Sequence, residues 1–371
     1  MKQSDEAPAS PAYTDPEADR PAFFDGAAAA RHAEALAVPR VCNNVIEAIG
    51  ATPLIRLGRF IGEGPRCYLK FEAMNPGGSS KDRSAREMLL AAEREQGLKP
   101  GSKVIISTSG NMGIGLAMIC AYKGYELVAI VDPKISPTNE SILRVYGAQI
   151  VKVTEKDEHG GYHLTRLKKA DELKARYPDA AYIDQYDNKY NALAHYRTTA
   201  PEIHRALGGD VAAIVVAAGT GGTLMGTARY FKEHVPGVQI WAVDEHGSLA
   251  LPANNIPQPR YLNGMGTSQR PANYDYPNLH KYLDAQRYVN ATEAIRAAIL
   301  LARTEGILVG GSGGAVAHVM RHVMRKAYGP NQNIVGIIPD HGSRYTNDFF
   351  NDEWLAARDI PISIEDDVGD E

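Results

Sequence analysis

The stretch Ala213-Ile214-Val215-Val216-Ala217-Ala218-Gly219-Thr220-Gly221-Gly222-Thr223-Leu224 runs from a β-branched segment through a glycine turn into a helical pattern, and its reading decides the fold. A short unbroken apolar run suits a strand buried on both faces, and the glycines let the chain turn tightly into the next helix. The same grammar recurs on either side. Strands are expected at 67–71, 103–106, 127–131, 149–153, 213–216, 239–243 and 333–338, and helices at 112–122, 162–176, 224–234, 291–303 and 315–328. Regular alternation of this kind argues for an α/β chain whose mostly parallel sheets are flanked by helices. Ligands of such sheets sit at the carboxyl ends of strands, which makes the strand-to-helix junctions the places to look for chemistry.

Composition bounds the function classes. The chain has 371 residues, 44% hydrophobic and 23% charged, enough for one two-lobed catalytic fold or two ordinary domains. A formal net charge of -4 gives no reason to expect nucleic acid or a membrane surface, so small molecules are the expected partners. Cys42, Cys67 and Cys120 are dispersed, with no disulfide framework and no zinc spacing, and no metal is expected. No apolar run is long enough for a membrane span and the N-terminus lacks a signal-peptide layout, so a cytoplasmic location is expected. Residues 1–42, rich in Ala, Pro, Asp and Glu, are read as an extension with a short helix at 27–37. Residues 43–355 have the texture of a catalytic domain, with a smaller lobe near 84–188, and 356–371 form an acidic tail around Ile364-Glu365-Asp366-Asp367.

Four junctions carry chemistry. Gly77-Gly78-Ser79-Ser80-Lys81-Asp82-Arg83 offers a lysine after four small residues; a buried amine loses hydration, its pKa falls, and it becomes a nucleophile fit for Schiff-base formation. Ser107-Thr108-Ser109-Gly110-Asn111-Met112-Gly113 gathers hydroxyls, an amide and backbone N–H groups at a helix start, a setting for a carboxylate. Gly219-Thr220-Gly221-Gly222-Thr223 is a nest of donors suited to phosphate. Gly310-Gly311-Ser312-Gly313-Gly314 presents a single side chain, Ser312, in a run that allows close approach to a ring nitrogen. The plainer reading of each is a capped or flexible turn. A dinucleotide site is disfavoured, because Leu224 stands where a third glycine belongs and the P-loop lysine is missing. A reactive lysine, a phosphate nest, a ring contact and a carboxylate loop together describe a pyridoxal 5'-phosphate enzyme acting on an amino acid.

With these motifs in view, the chain from about Asn43 to Trp354 resembles the β-family of pyridoxal phosphate enzymes, fold type II, the tryptophan synthase β-like group that includes cysteine synthase and cystathionine β-synthase. The resemblance rests on Ile49-Gly50-Ala51-Thr52-Pro53-Leu54, Asn75-Pro76 leading into the lysine run, the Thr-Ser-Gly-Asn loop, the 219–223 loop and Gly311-Ser312-Gly313. It implies two lobes, each with a mostly parallel sheet. It also implies that Lys81 carries the cofactor and acts as catalytic base, that Asn111 bonds the ring hydroxyl, that Gly219, Thr220, Gly221, Gly222 and Thr223 hold the phosphate, and that Ser312 faces the pyridine nitrogen. Thr108, Ser109, Gly110, Met112 and Gln185 match positions that contact substrate in the family, and a homodimer is implied.

Departures from the common pattern point within the family. Cysteine synthases usually carry threonine where Met112 stands. The stretches Val131-Asp132-Pro133-Lys134-Ile135-Ser136-Pro137-Thr138-Asn139, His159-Gly160-Gly161-Tyr162 and Pro339-Asp340-His341-Gly342-Ser343-Arg344-Tyr345 look like the branch that makes N-(2-amino-2-carboxyethyl)-L-glutamate from O-phospho-L-serine and L-glutamate, a step toward 2,3-diaminopropionate and siderophores. A phosphorylated donor calls for an extra cation. Arg260 is the first candidate, with Lys134, Arg166 and Arg270 behind it and His159 and Tyr162 as possible lining. The rivals are a cysteine synthase using sulfide, a cystathionine β-synthase, and a cofactor-binding regulatory relative, which the intact set of Lys81, Asn111 and Ser312 argues against. Heme is not expected, since Cys42 and His32 do not match the family's heme-binding pattern.

Overall fold

Ten strands form two sheets in a computed structural model that describes residues 41–156, 162–252, 256 and 258–363. The expected helix at 27–37, His32, His159 and the acidic residues 364–367 lie outside the described residues. The elements below belong to one compact unit, Asn44–Glu371. In chain order they are β1 (Leu54–Arg56), β2 (Arg66–Phe71), α1 (Lys81–Gln96), β3 (Lys103–Ser107), α2 (Asn111–Lys123), β4 (Glu126–Val131), α3 (Pro137–Val145), β5 (Gln149–Lys152), α4 (His163–Arg176) and β6 (Ala181–Ile183). There follow α5 (Lys189–Arg197), α6 (Thr199–Ala206), β7 (Ala213–Ala217), α7 (Gly222–His234), β8 (Gln239–Glu245), β9 (Ala285–Val289), α8 (Ala291–Glu305), α9 (Gly311–Val319) and β10 (Asn333–Ile338).

The larger sheet has the order β1-β2-β10-β7-β8-β9 and the smaller β5-β4-β3-β6. Every pairing is parallel except β1 with β2, where Leu54 stands opposite Lys70 on the sheet edge. The opening stretch behaves as its composition dictates. Ala213 and Val215 on β7 pack into one core, Ile214 and Val216 into another, so the sheet is covered on both faces. In the smaller sheet Val104 and Ile106 face one core and Ile105 the other.

All seven expected strands form, with ends shifted by a residue or two. The short β1, β6 and β9 were not expected; three to five residues without a sustained apolar run leave little periodic signal. The helix expected at 315–328 starts earlier, at Gly311, and is interrupted by a π-turn at Met320–Met324. Strand order reverses around β10, which lies between β2 and β7. The chain leaving β2 reaches Lys81, that leaving β10 reaches Asp340, and that leaving β7 enters the 219–223 loop. Three neighbouring carboxyl ends therefore converge at the switch point where an α/β sheet binds its ligand.

Candidate active site

Lys81 is the first residue of α1, and the turn before it is fixed by close contacts. Gly78 has φ +78, a conformation side chains rarely adopt, and a Cβ on Gly77 would lie 2.4 Å from Asp82 Oδ1. The backbone N–H of Gly77 donates to Asp82 Oδ2 at 2.5 Å, and Ser79 Oγ accepts from the Lys81 N–H at 3.2 Å. Ser79 forms a β-bridge with Asp340, and the Ser80 N–H donates to the Pro339 carbonyl at 2.8 Å. The lysine turn is thereby stitched to the end of β10.

Behind it lies a buried ionic cluster. Arg83, fully buried, donates to Glu72 Oε2 at 2.6 Å and to both oxygens of Glu202 at 2.7 Å, and Lys70 reaches Glu202 at 2.6 Å. Such an array holds only when every charge is paired. Burial opposes ionisation of Glu202, yet Arg83 and Lys70 outweigh it and hold the carboxyl at about 2. The Lys81 ammonium has no such compensation. Burial depresses its pKa, against the weaker opposing pull of Asp340 and Glu72, which favours the neutral amine.

Lys81 lies where two cavities meet. The smaller, about 20 Å³, is lined by residues 219–224, Gly264 and Pro339. Gly221 takes φ +94 as the N-cap of α7, which aims the unpaired N–H groups of that helix's first turn into the cradle. The larger cavity, about 260 Å³, is lined by Lys81, residues 107–112, Asp132, Lys134, Arg166, Gln185 and Tyr186, among others. It brings together Thr108, Ser109, Gly110, Asn111, Met112 and Gln185 as the sequence suggested. Gln185 donates to the Ser107 carbonyl at 3.5 Å, and Thr108 Oγ1 accepts from the Gly110 N–H at 3.3 Å. No serine or threonine side chain caps α2, whose N-cap is Gly110, so the hydroxyls of the loop are not consumed by the helix.

Ser312 is buried in the first turn of α9, and its Oγ has no partner among the described residues. A Cβ on Gly264 would come within 3.3 Å of that oxygen. Asn111 Nδ2 donates to Asp340 Oδ2 at 2.7 Å and also hydrogen-bonds the Tyr345 side chain, while its Oδ1 accepts from Arg344. Arg344 also donates to the Gly77 carbonyl, and Tyr345 donates to Asp340 Oδ2. Asp340 Oδ1 is buried without a partner among the described residues, and burial raises its pKa despite Tyr345, Asn111, Arg344 and Lys81.

The cations divide sharply. Arg166 extends from α4 to Asp132 at 3.0 Å and donates to Ser109 Oγ at 3.2 Å, on the wall of the larger cavity with Lys134. Arg260 is not part of that wall. It donates to Ser268 Oγ at 2.7 Å and its charge opposes the burial that lifts Asp244 to about 6 and Glu245 to about 7. Arg270 lies over the Tyr276 ring at 5.4 Å. Sequence reasoning assigned no site role to Asp340, Arg344 or Tyr345, although it quoted their stretch, and it missed Tyr186 and the acidic anchor Asp132. Residues so distant in sequence gave no local pattern to join them.

Residues 45–340 match the sequence profile of the family described as "Pyridoxal-phosphate dependent enzyme". The chain belongs to that family. It is 39% identical over 317 residues to an N-(2-amino-2-carboxyethyl)-L-glutamate synthase of Ralstonia nicotianae, covering 85% of this chain and 92% of the relative. A synthase of the same name from Cupriavidus metallidurans is 40% identical over 319 residues, with the same coverage. A solved hydrogen sulfide-producing enzyme of Fusobacterium nucleatum superposes with a TM-score of 0.77 at 32% identity, covering 83% of this chain and 99% of its own. The fold is type II, and the protein is a pyridoxal-phosphate dependent, cysteine synthase-like enzyme.

The family's cofactor fits the residues present. An aldehyde, a phosphate and a pyridine ring require a neutral amine, a donor nest and polar contacts along the ring, and the site offers Lys81, the 219–223 cradle, the Asn111 amide on the cavity wall and the orphaned Ser312 hydroxyl.

Proposed function

We propose that the enzyme replaces the phosphate of O-phospho-L-serine with the amine of L-glutamate, giving N-(2-amino-2-carboxyethyl)-L-glutamate and phosphate. The product would serve 2,3-diaminopropionate and siderophore synthesis. The observation on this chain that carries the reading is Arg166, held by Asp132 and Ser109 on the wall of the cavity that Lys81 also lines, with Lys134 beside it. A guanidinium so fixed suits a phosphate leaving group, and the named activity of the two relatives at 39% and 40% identity agrees with it.

Lys81 would hold the cofactor's aldehyde carbon, the 219–223 loop its phosphate, and Ser312 would accompany its ring nitrogen. The bound cofactor supplies the electron sink that makes the substrate Cα hydrogen acidic. Thr108, Ser109, Gln185 and the N–H groups of the loop orient the substrate carboxylate. The freed Lys81 Nζ takes the Cα proton, for which its depressed pKa suits it. The Cβ–O bond then breaks with its electron pair going to phosphate, whose charge Arg166 and Lys134 stabilise. Once phosphate has left, the same cations receive the carboxylates of glutamate. Its amine forms the new Cβ–N bond and sheds a proton, and Lys81 Nζ returns a proton to Cα.

The same reading makes the enzyme a cytoplasmic homodimer. Burial pushes the Cys67 and Cys120 thiols up to about 12, so neither is a reactive thiolate. Phosphate release from O-phosphoserine tests the reaction: it should be sustained only when glutamate is supplied. Equal release with no amine present would identify an eliminating lyase instead.

A further inference from the structure

Each cradle threonine hydroxyl meets a side chain of α5. Asn191 and His195 stand four residues apart on one buried face of that helix. The helix is pressed onto the start of α7: a Cβ on Gly222 would lie 1.9 Å from Asn191 Oδ1, and one on Gly226 would lie 2.1 Å from the Ala192 carbonyl oxygen. Asn191 Nδ2 donates to the Gln185 carbonyl at 2.8 Å and to Thr220 Oγ1 at 3.1 Å. Both of its hydrogens are then spent, and Thr220 can only accept at that contact. His195 Nε2 lies 3.2 Å from Thr223 Oγ1 and 3.2 Å from Ser84 Oγ, three residues past Lys81, while Nδ1 lies 2.9 Å from Thr199 Oγ1. Burial, then the charges of Arg83 and Lys81, keep the ring neutral, so it has one donor and one acceptor. In the tautomer where Thr199 donates to Nδ1, the N–H resides on Nε2 and lies between Thr223 and Ser84.

We propose that Asn191 and His195 are positioning residues that fix both threonine hydroxyls of the 219–223 loop as acceptors toward α5 and therefore as donors toward the cofactor phosphate. The inference rests on the reading that this loop holds the phosphate. A dianion accepts only, so a hydroxyl whose hydrogen was committed elsewhere would oppose it rather than bind it. His195, reaching Ser84 as well, ties the cradle to the helix that bears Lys81. No local motif marks either residue, because neither touches the ligand itself.

The test titrates apoprotein with pyridoxal phosphate and with pyridoxal, which lacks the phosphate, and reads the visible band of the lysine-bound cofactor. The ratio of the two affinities isolates the phosphate contact. Asn191→Asp keeps shape but replaces the donor with an acceptor, and His195→Asn is too short to reach Thr223; each should lower the ratio by about ten- to a hundredfold. His195→Gln, which carries an N–H near the Nε2 position, should stay within about threefold of wild type. Melting of each apoprotein, followed by circular dichroism, checks that the fold persists, and the isosteric aspartate variant guards against loss of folding in the others. An unchanged ratio in Asn191→Asp and His195→Asn, or an equal loss for both ligands, overturns the positioning role. The double variant Thr220→Val/Thr223→Val and the wild type separate the underlying reading: an unchanged ratio in the double variant means that the hydroxyls do not bind the phosphate, and equal wild-type affinity for pyridoxal and pyridoxal phosphate means that the loop does not hold the phosphate at all.

Discussion

The floor of the site and its wall are built differently. The floor, comprising Lys81, the 219–223 cradle, Asn111 and Ser312, rises from loops at the ends of β2, β7 and β3 and the first turn of α9, each held by backbone or short side-chain contacts. The wall, comprising Asp132, Lys134, Arg166 and Gln185, comes from the ends of β4 and β6 and from α4, and presents long charged side chains to the larger cavity. A floor made of glycine turns tolerates almost no substitution, since a Cβ at Gly77, Gly222 or Gly310 would lie 2.4, 1.9 or 2.2 Å from a buried polar atom. A wall made of long side chains can change its ligand by exchanging one residue. The difference explains how one fold serves a common cofactor with different donors and nucleophiles.

Breaking the floor should abolish the chemistry for every substrate. Lys81→Ala should remove the visible band of the lysine-bound cofactor and lower turnover by at least about 10³-fold with any donor; a variant that kept the band would disprove the assignment. Breaking the wall should be selective. Arg166→Ala should raise KM for O-phosphoserine by about ten- to a hundredfold while leaving O-acetylserine within about threefold, measured in parallel steady-state assays. Equal losses would mean that Arg166 only supports the Ser109 loop.

Arg260 sharpens the contrast, since it stands behind Gly266 instead of on the cavity surface and its charge acts on Asp244, Glu245 and Tyr186. These carboxyls are raised by burial to about 6 and about 7, so their contribution to stability is full below their unfolded values near 4 and is lost as pH rises through 6 to 7. Arg260 interacts with them only once they ionise. Arg260→Ala should therefore depress the melting temperature by a few degrees more at pH 8 than at pH 5, with KM for O-phosphoserine changed by less than about threefold. A drop independent of pH would show that its contact with Ser268 matters more. A selective rise in KM would return Arg260 to the wall.

The floor was legible in the sequence because each of its parts is a local word: a strand end, a glycine turn and a helix start within ten residues. Lys81, the Thr-Ser-Gly-Asn loop, the 219–223 loop and Ser312 could each be read in isolation and then joined by the one cofactor that needs them all. The wall was less legible. Arg166 lies within a helix whose charged residues read as a solvated face, and only the fold brings it to Asp132 and Ser109, 34 and 57 positions away. Arg260, by contrast, lies in the long connection after β8, and the reach of its charge to the buried carboxyls Asp244 and Glu245 is a tertiary fact. Asn191 and His195 act through other residues and carried no sequence signal of their own, while Asp340 lies in a stretch that marked the branch without marking a role.

The central claim is the identity of the incoming nucleophile and the departing group. Incubation of the cofactor-loaded enzyme with O-phospho-L-serine and glutamate labelled with ¹⁵N at the amine, followed by mass analysis, tests it most directly. The account predicts an N-(2-amino-2-carboxyethyl)-L-glutamate product that retains the label, formed in step with released phosphate and more efficiently than any product from O-acetylserine. Cysteine as the main product when sulfide competes with glutamate, and no labelled adduct, would contradict it.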